Sequence, residues 1–191
     1  MHRALSRGAK PKGTLMPRFV VALSICCYFF AGVIPAQSQT LPRLPNYFVT
    51  PGVTVSGITL RKICRTKWGK DARHVTAAMK RQVFANYGLT GNTDPACIRD
   101  AHGRRCEIDH LISRELGGAD DVKNLWPQPY GSQPWNAVRK DCVETRLHKE
   151  VCAGHITLKQ AQDAIRFDWT NAYLRYYEHP EPGKKCTPRT N

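Results

Sequence analysis

The sequence predicts an α+β domain: a short strand pair followed by a helix, with flanking helices and disulfides that staple the chain. Residues 106–111 and 122–126 have the apolar anchors of strands, and Gly117-Gly118 between them supplies a chain reversal. Helical periodicity flanks this strand pair on both sides. Six cysteines follow residue 38, and an even number in an exported chain is typical of disulfides. They are Cys64, Cys97, Cys106, Cys142, Cys152 and Cys186.

Residues 1–38 are predicted to be a secretory signal. Their basic residues precede an apolar run over 19–36, and the small residues that follow suit cleavage. Met16 as the true start would give a more usual signal length. A retained membrane anchor is the alternative, because 18 apolar residues reach the lower limit of a span. Pro35 favours cleavage, so we expect export to the periplasm or the extracellular space and no stable membrane association afterwards.

The remaining chain is long enough for one domain with an excess of positive charge. We expect an extended leader at 39–62, the folded domain at 63–178 and a loose tail at 179–191. The signal holds five of the 29 Lys and Arg residues and none of the 15 acidic residues, so the mature chain has a net charge of +9. This excess indicates a polyanionic partner. Nucleic acid, an anionic membrane surface and a cell-wall polymer all satisfy it.

The first elements follow from local patterns. Several prolines and few charges predict an extended conformation for the leader. Apolar residues at every fourth position predict a helix over 76–87, which Gly88 ends. Residues 90–103 are rich in glycine, asparagine and aspartate, and they are expected to form a loop.

The later elements include two longer helices. Pro127 and Pro129 are expected to end the second strand, and helical periodicity resumes over 135–152. Thr157 opens another helix, with Gln160 placed to complete a capping box. This helix has an apolar stripe that predicts a core-facing side. The stripe comprises Leu158, Ala161, Ile165, Trp169 and either Ala172 or Tyr173.

The cysteines are assigned to disulfides and not to a structural zinc site. No CxxC pair occurs, so the spacing that such a zinc site usually requires is missing. Six cysteines allow many pairings, and the sequence selects none of them.

The strand–reversal–strand–helix order brings a group of polar residues together. His110 lies at the first strand, Asn124 at the second, and Asn136 at the start of the helix. Phosphodiester hydrolysis requires an activated water and a positive charge against the developing negative charge. An ordinary histidine such as His110 would accept the proton of that water near neutral pH. Asp109 and Asn136 offer the oxygen ligands that Mg²⁺ prefers, with Mn²⁺ or Zn²⁺ as alternatives.

This segment resembles the HNH endonucleases, which are also called ββα-metal nucleases. The likeness rests on the stretches DHLI, ELGG, NLWPQ and LHKEVCAG in that order, and it extends over residues 64–176. The resemblance implies a ββα-metal core in which His110 is the general base and Asp109 binds the metal. It also implies that Asn124 braces the loop between the strands through hydrogen bonds, and that a residue on the helix completes the metal shell.

Asn136 and His148 are alternatives for that third metal ligand. Asn136 follows Asn124 by 12 residues, which matches the helix-borne ligand of the family, whereas His148 lies in the LHKEVCAG stretch. Twelve residues of helix span about 18 Å, so the two side chains cannot both contact one ion, and Asn136 is preferred. The basic residues Arg139 and Lys140 are expected to hold or neutralise the substrate phosphate.

The sequence therefore predicts an exported, metal-dependent endonuclease that cuts DNA, with RNA as a further substrate, at low sequence specificity. One geometric condition follows: strict strand alternation would place Asp109 and His110 on opposite faces, so the site requires a bend or strand end there, or an ion and water on either side of the chain. A second hypothesis is a non-catalytic cationic module that binds nucleic acid or an envelope polymer. The presence of Asp109, His110 and Asn124 together argues against it.

Overall fold

A computed structural model of the chain describes residues 41–177 and contains both helices and strands. The mixed α+β class is confirmed. The predicted signal at 1–38 and the whole of the predicted tail at 179–191, which includes Cys186, lie outside the described residues. Within residues 41–177, no helix combines the length and apolar character needed to cross a membrane. The elements are α1 (Leu60–Arg65), α2 (Ala77–Asn86), β1 (Cys106–His110), β2 (Leu125–Pro129), α3 (Ala137–Cys152) and α4 (Leu158–Tyr176).

The strands β1 and β2 form a two-stranded antiparallel sheet in which Asp109 pairs with Trp126. The second strand begins three residues later than the sequence predicts; Pro127 lies within it instead of ending it, whereas Pro129 is its last residue. The ladder tolerates them because they occupy non-hydrogen-bonded positions: the next bonds along the ladder are donated by the N–H groups of Leu111 and Tyr130. A proline at such a position removes no ladder hydrogen bond.

The helices begin and end at the expected capping residues. Thr76 caps α2, and the Thr157–Gln160 capping box at the start of α4 is complete. The predicted helix over 135–152 starts slightly later, because Asn136 adopts an extended conformation and caps α3 from outside. Gly88, with φ of 68°, follows the end of α2 as predicted.

The main core lies between α3 and α4, and the predicted stripe of α4 faces it. A smaller core joins α2 to the strand pair through Val83, Ile108 and Leu125. The strand pair is therefore covered by α2 on the face that carries Ile108. The main core contains Ile112, Leu116, Val143, Leu147, Val151, Ala161, Ile165, Trp169, Ala172 and Tyr173.

The predicted leader is part of the folded domain, which corrects the boundary at 62/63. Helix α1 begins at Leu60, before that boundary. The indole N–H of Trp169 donates to the carbonyl of Arg43 at 2.9 Å. Thr50 is fully buried and its hydroxyl donates to the carbonyl of Leu125 at 3.0 Å. The leader therefore provides hydrogen-bonding partners for buried groups of the domain.

Disulfides staple the domain, as the cysteine count predicts. Cys64–Cys152 joins α1 to the last residue of α3, and Cys97–Cys106 joins a loop to the first residue of β1. Cys142 is disulfide-bonded as well. The first of these crosslinks closes a sequence separation of 88 residues and the second a separation of 9.

We expect the long-range disulfide to contribute more to stability than the short-range one. By the entropy of loop closure in the unfolded chain, the variant C64S/C152S should lose about 4–5 kcal/mol of unfolding free energy and C97S/C106S about 2–3 kcal/mol. Urea unfolding of both variants beside the wild type measures the difference. An equal or larger loss in C97S/C106S would contradict this assignment.

Candidate functional site

A cleft of about 540 Å³ lies between β1, α3 and the chain segment after α1. Both Asp109 and His110 line it, so the predicted acid and imidazole share one cavity. They do so because β1 ends at His110, which lets the cleft reach side chains on both faces of the strand. The other lining residues are Trp68, Gly69, Asp71, Arg73, Arg104, Glu107, Ser113, Arg114, Glu115, Tyr130, Val138, Asp141, Glu144 and Thr145.

His110 is held by a carboxylate that the sequence did not single out. Its Nε2 lies 2.7 Å from Oδ1 of Asp120, whose Oδ2 accepts from the backbone N–H of His74 at 2.6 Å. Burial raises the pKa of Asp120, but the bonds from His74 and His110 and the charge of Arg114 outweigh it and lower that pKa. Asp120 is therefore ionised at neutral pH and acts only as an acceptor.

The ring of His110 is neutral at neutral pH. The residue is 4% exposed, and burial, helped by the charge of Arg73, lowers its pKa to about 4 even though Asp109 and Asp120 oppose the shift. Because Asp120 only accepts, the single ring proton of His110 belongs on Nε2. Nδ1 then carries the lone pair, in a residue that lines the cleft.

Asn124 connects the two ends of the loop between the strands. It is fully buried; its Oδ1 accepts from the N–H of Ile112 at 2.9 Å, and its Nδ2 donates to the carbonyls of Ile112 and Ala119 at 3.0 Å. Gly118 fits against this bracing, because a Cβ there would lie 1.7 Å from the carbonyl oxygen of Ile112. The side chain of Asn124 thus fixes the turn that follows His110.

Lys140 is buried and holds β1 against α3. Its ammonium group is 0% exposed and donates to Oδ2 of Asp109 at 2.7 Å, to the carbonyl of His110 at 2.5 Å and to Glu144. Burial disfavours the charge, but Asp109 and Glu144 outweigh it and raise the pKa of Lys140. The phosphate contact predicted for Lys140 is not available to this side chain, because its charge is enclosed and already paired.

Arg139 also lies away from the cleft. Its guanidinium sits 5.7 Å from the ring centre of Trp135 and 5.4 Å from that of Tyr173, an arrangement that favours cation–π attraction. The cationic residues that do line the cleft are Arg73, Arg104 and Arg114. They replace Arg139 and Lys140 as candidates for contact with an anionic substrate.

Each of the predicted third metal ligands contacts a group other than Asp109. Oδ1 of Asn136 accepts from the N–H of Arg139 at 3.0 Å as the helix cap. Nε2 of His148 lies 3.2 Å from the carbonyl oxygen of Ile63. Neither residue lines the cleft. Across residues 41–177, no three His, Cys, Asp or Glu side chains are placed to hold a metal ion together.

Carboxylates nevertheless concentrate on the α3 side of the cleft. Glu107, Asp109, Asp141 and Glu144 all line it. Burial, together with repulsion from Asp109 and Asp141, raises the pKa of Glu107 to about 8. Burial and the neighbouring acids likewise raise the pKa of Glu144, despite the attraction of Lys140. Both raised pKa values indicate more carboxyl groups in this part of the cleft than the single charge of Lys140 offsets.

Several buried polar atoms on the face of the sheet that carries Asp109 have no hydrogen-bonding partner among the described residues. They are Oε1 of Glu107, Nε1 of Trp126 and both amide atoms of Gln128. The strand register places all three side chains on one face of the sheet, since Glu107 pairs with Gln128 and Asp109 with Trp126. The other oxygen of Glu107 accepts from the hydroxyl of Tyr130 at 2.7 Å.

In comparisons with protein-family models, curated proteins and solved structures, none matches this chain.

We expect the buried ion pairs of Lys140 to be essential to the fold. The substitution Lys140→Met keeps the apolar stem but leaves Asp109 and Glu144 as unpaired buried acids, so it should cost about 3–5 kcal/mol of unfolding free energy. Lys159→Met on α4 is the matched control: its side chain is 78% exposed, it also pairs with an acid four residues on, and it should cost less than about 1 kcal/mol. Similar losses of unfolding free energy in the two variants, measured by urea unfolding, would refute the role of Lys140 in holding β1 against α3.

Proposed function

We propose that the chain is an endonuclease that hydrolyses phosphodiester bonds of DNA, with RNA as a further substrate. The observation that carries this proposal is the pair formed by His110 and Asp120 in a cleft lined by arginines. The motif resemblance supports the same conclusion. Low sequence specificity is expected, because the sequence contains no zinc finger or aromatic RNA-binding signature.

His110 acts as the general base in this proposal. Its neutral ring directs the Nε2 proton to Asp120 and leaves Nδ1 to accept a proton from the attacking water. A pKa of about 4 describes the protein without substrate. A bound phosphate adds negative charge beside His110 and raises that pKa towards neutral pH. Asp109 and Asp120 then stabilise the protonated ring.

Arg73 and Arg114 supply positive charge in the part of the cleft that contains His110. Arg73 donates to the carbonyl of Ile108 at 2.5 Å, which fixes it beside β1. Arg114 bonds to Asp71, and its Nε lies 3.7 Å from Oδ1 of Asp120. Guanidinium groups pair well with phosphate oxygens, so these two residues would bind the scissile phosphate in the cleft near His110.

The donor chemistry of the cleft suits a divalent ion, which Asp109 of the predicted ligand set could contact but Asn136 and His148, outside the cleft lining, could not. Oε1 of Glu107 is a buried carboxylate oxygen without a partner among the described residues, and its neighbours Asp109 and Asp141 are hard oxygen donors of the kind that Mg²⁺ prefers. These three residues would hold the ion, after their side chains converge. When bound, the ion would supply positive charge to the phosphate oxygens.

A non-catalytic binding module is the second candidate function. It is favoured by one observation, that no ligand set for a metal is assembled within residues 41–177. The arginines that line the cleft are compatible with either function. Cleavage assays with and without divalent ions separate them.

The substitution His110→Ala should lower the rate of DNA cleavage by about 10²- to 10⁴-fold, because it removes the general base. Binding of DNA should remain close to that of the wild type. The wild type should be inactive in EDTA and regain activity with added Mg²⁺ or Mn²⁺. Plasmid cleavage and oligonucleotide binding, measured across a metal panel, check these expectations.

His155→Ala is the matched control, since His155 is exposed and also pairs with an acid, Glu150, but lies outside the cleft. It should cleave as the wild type does. Full activity of His110→Ala would exclude the proposed base. Absence of cleavage by the wild type with every metal would favour the binding module.

A further inference from the structure

The segment from α1 to the following turn carries a dense run of exposed positive charge. Residues 60–70 contain no acidic residue. Five basic side chains in this stretch are exposed to solvent. They are Arg61, Lys62, Arg65, Lys67 and Lys70. We call residues 61–70 the basic segment.

The basic segment borders the cleft directly. Trp68 and Gly69 belong to the segment and line the cleft, and Asp71 and Arg73 continue that wall. The indole N–H of Trp68 donates to the carbonyl of Ile63 at 2.9 Å, which fixes the position of the ring. One aromatic ring of the basic segment therefore shares the cleft with His110.

The basic segment is anchored to the helix that forms the opposite wall. Ile63 is fully buried, and Cys64 is disulfide-bonded to Cys152 at the end of α3. The same helix carries Asp141 and Glu144, which line the cleft. Because the segment is held in place before any partner arrives, binding to it loses little conformational entropy.

We propose that the basic segment binds single-stranded or unpaired nucleic acid and leads it into the cleft, with Trp68 stacking on a base. The proposal rests on the proposed function for the identity of the cleft, and it adds the binding surface and the strand form. Exposed lysine and arginine attract the phosphates of the backbone, and an aromatic ring can stack on any base that is not already paired.

The position of Trp68 favours nucleic acid over an anionic membrane. A segment that binds membranes inserts its aromatic side chains into the lipid. The only aromatic ring of the basic segment instead lines the cleft and is bonded to Ile63. Anionic lipid is therefore an alternative that the experiment has to exclude.

The first test measures how the loss of basic side chains changes oligonucleotide binding. It uses the His110→Ala background, in which bound oligonucleotide should not be cleaved. The change K67Q/K70Q should weaken binding of a labelled single strand roughly tenfold at low salt and reduce the salt dependence of log K by about 1.4, or 0.7 for each lost phosphate contact. The matched control is K80Q/R81Q, which removes the same charge from exposed positions of α2. It should change binding less than twofold.

The second test measures stacking. Trp68→Leu keeps an apolar side chain but removes the aromatic face, and it should weaken binding of a normal single strand several-fold. It should leave binding of an abasic oligonucleotide of equal length unchanged, because that ligand has phosphates but no bases at the tested positions. Thermal unfolding of Trp68→Leu confirms that the domain is intact.

Equal effects of K67Q/K70Q and K80Q/R81Q would overturn the proposal, because the attraction would then come from net charge alone. So would an equal loss of normal and abasic binding in Trp68→Leu. If K67Q/K70Q abolishes binding to anionic vesicles and leaves oligonucleotide binding intact, the segment is a membrane site. If the wild type never cleaves but the variants show the expected losses of binding, this inference stands while the catalytic proposal fails.

Discussion

The buried ammonium group of Lys140 is the interaction on which the site depends. It bonds at once to the side chain of Asp109, to the backbone of His110 and to Glu144 on its own helix. A charge with no exposed surface is tolerated only when its partners satisfy it, and each of these bonds therefore fixes a separate part of the cleft. The end of β1 and the first turns of α3 cannot move apart without leaving the ammonium group of Lys140 buried and unpaired.

The charge of the cleft is divided between two sides. The carboxylates of Glu107, Asp109 and Glu144 surround Lys140 beside α3, whereas Arg73 and Arg114 lie with His110 beside Asp120. An anion that enters meets the arginines and the neutral ring, and a cation fits the acidic side. This division is the physical reason why one cavity could accept both a phosphate and a divalent ion. The cationic contacts that we propose for an anionic substrate therefore come from arginines and not from the buried lysine.

The sequence predicts best what depends on neighbours in the chain. Helix caps, the strand reversal and the adjacency of Asp109 and His110 are local, and the bracing by Asn124 acts within one loop. Asp120 was missed because its contact with His110 depends on the path of that loop; an acid directly after Gly117-Gly118-Ala119 was the available signal. Glu107 and Gln128 share a face only through strand register, and Gln128 lies beyond the second strand that the sequence predicts at 122–126. Trp68 joins the cleft through tertiary packing that no local pattern records.

The most direct measurement is the protonation state of the His110 ring, observed by nitrogen NMR of the protein with labelled histidine in EDTA at pH 7. We expect a neutral ring with its proton on Nε2, hydrogen-bonded to Asp120, and with Nδ1 unprotonated. A doubly protonated ring, or a neutral ring with its proton on Nδ1, would contradict it, because no lone pair would then be available in the cleft to activate water.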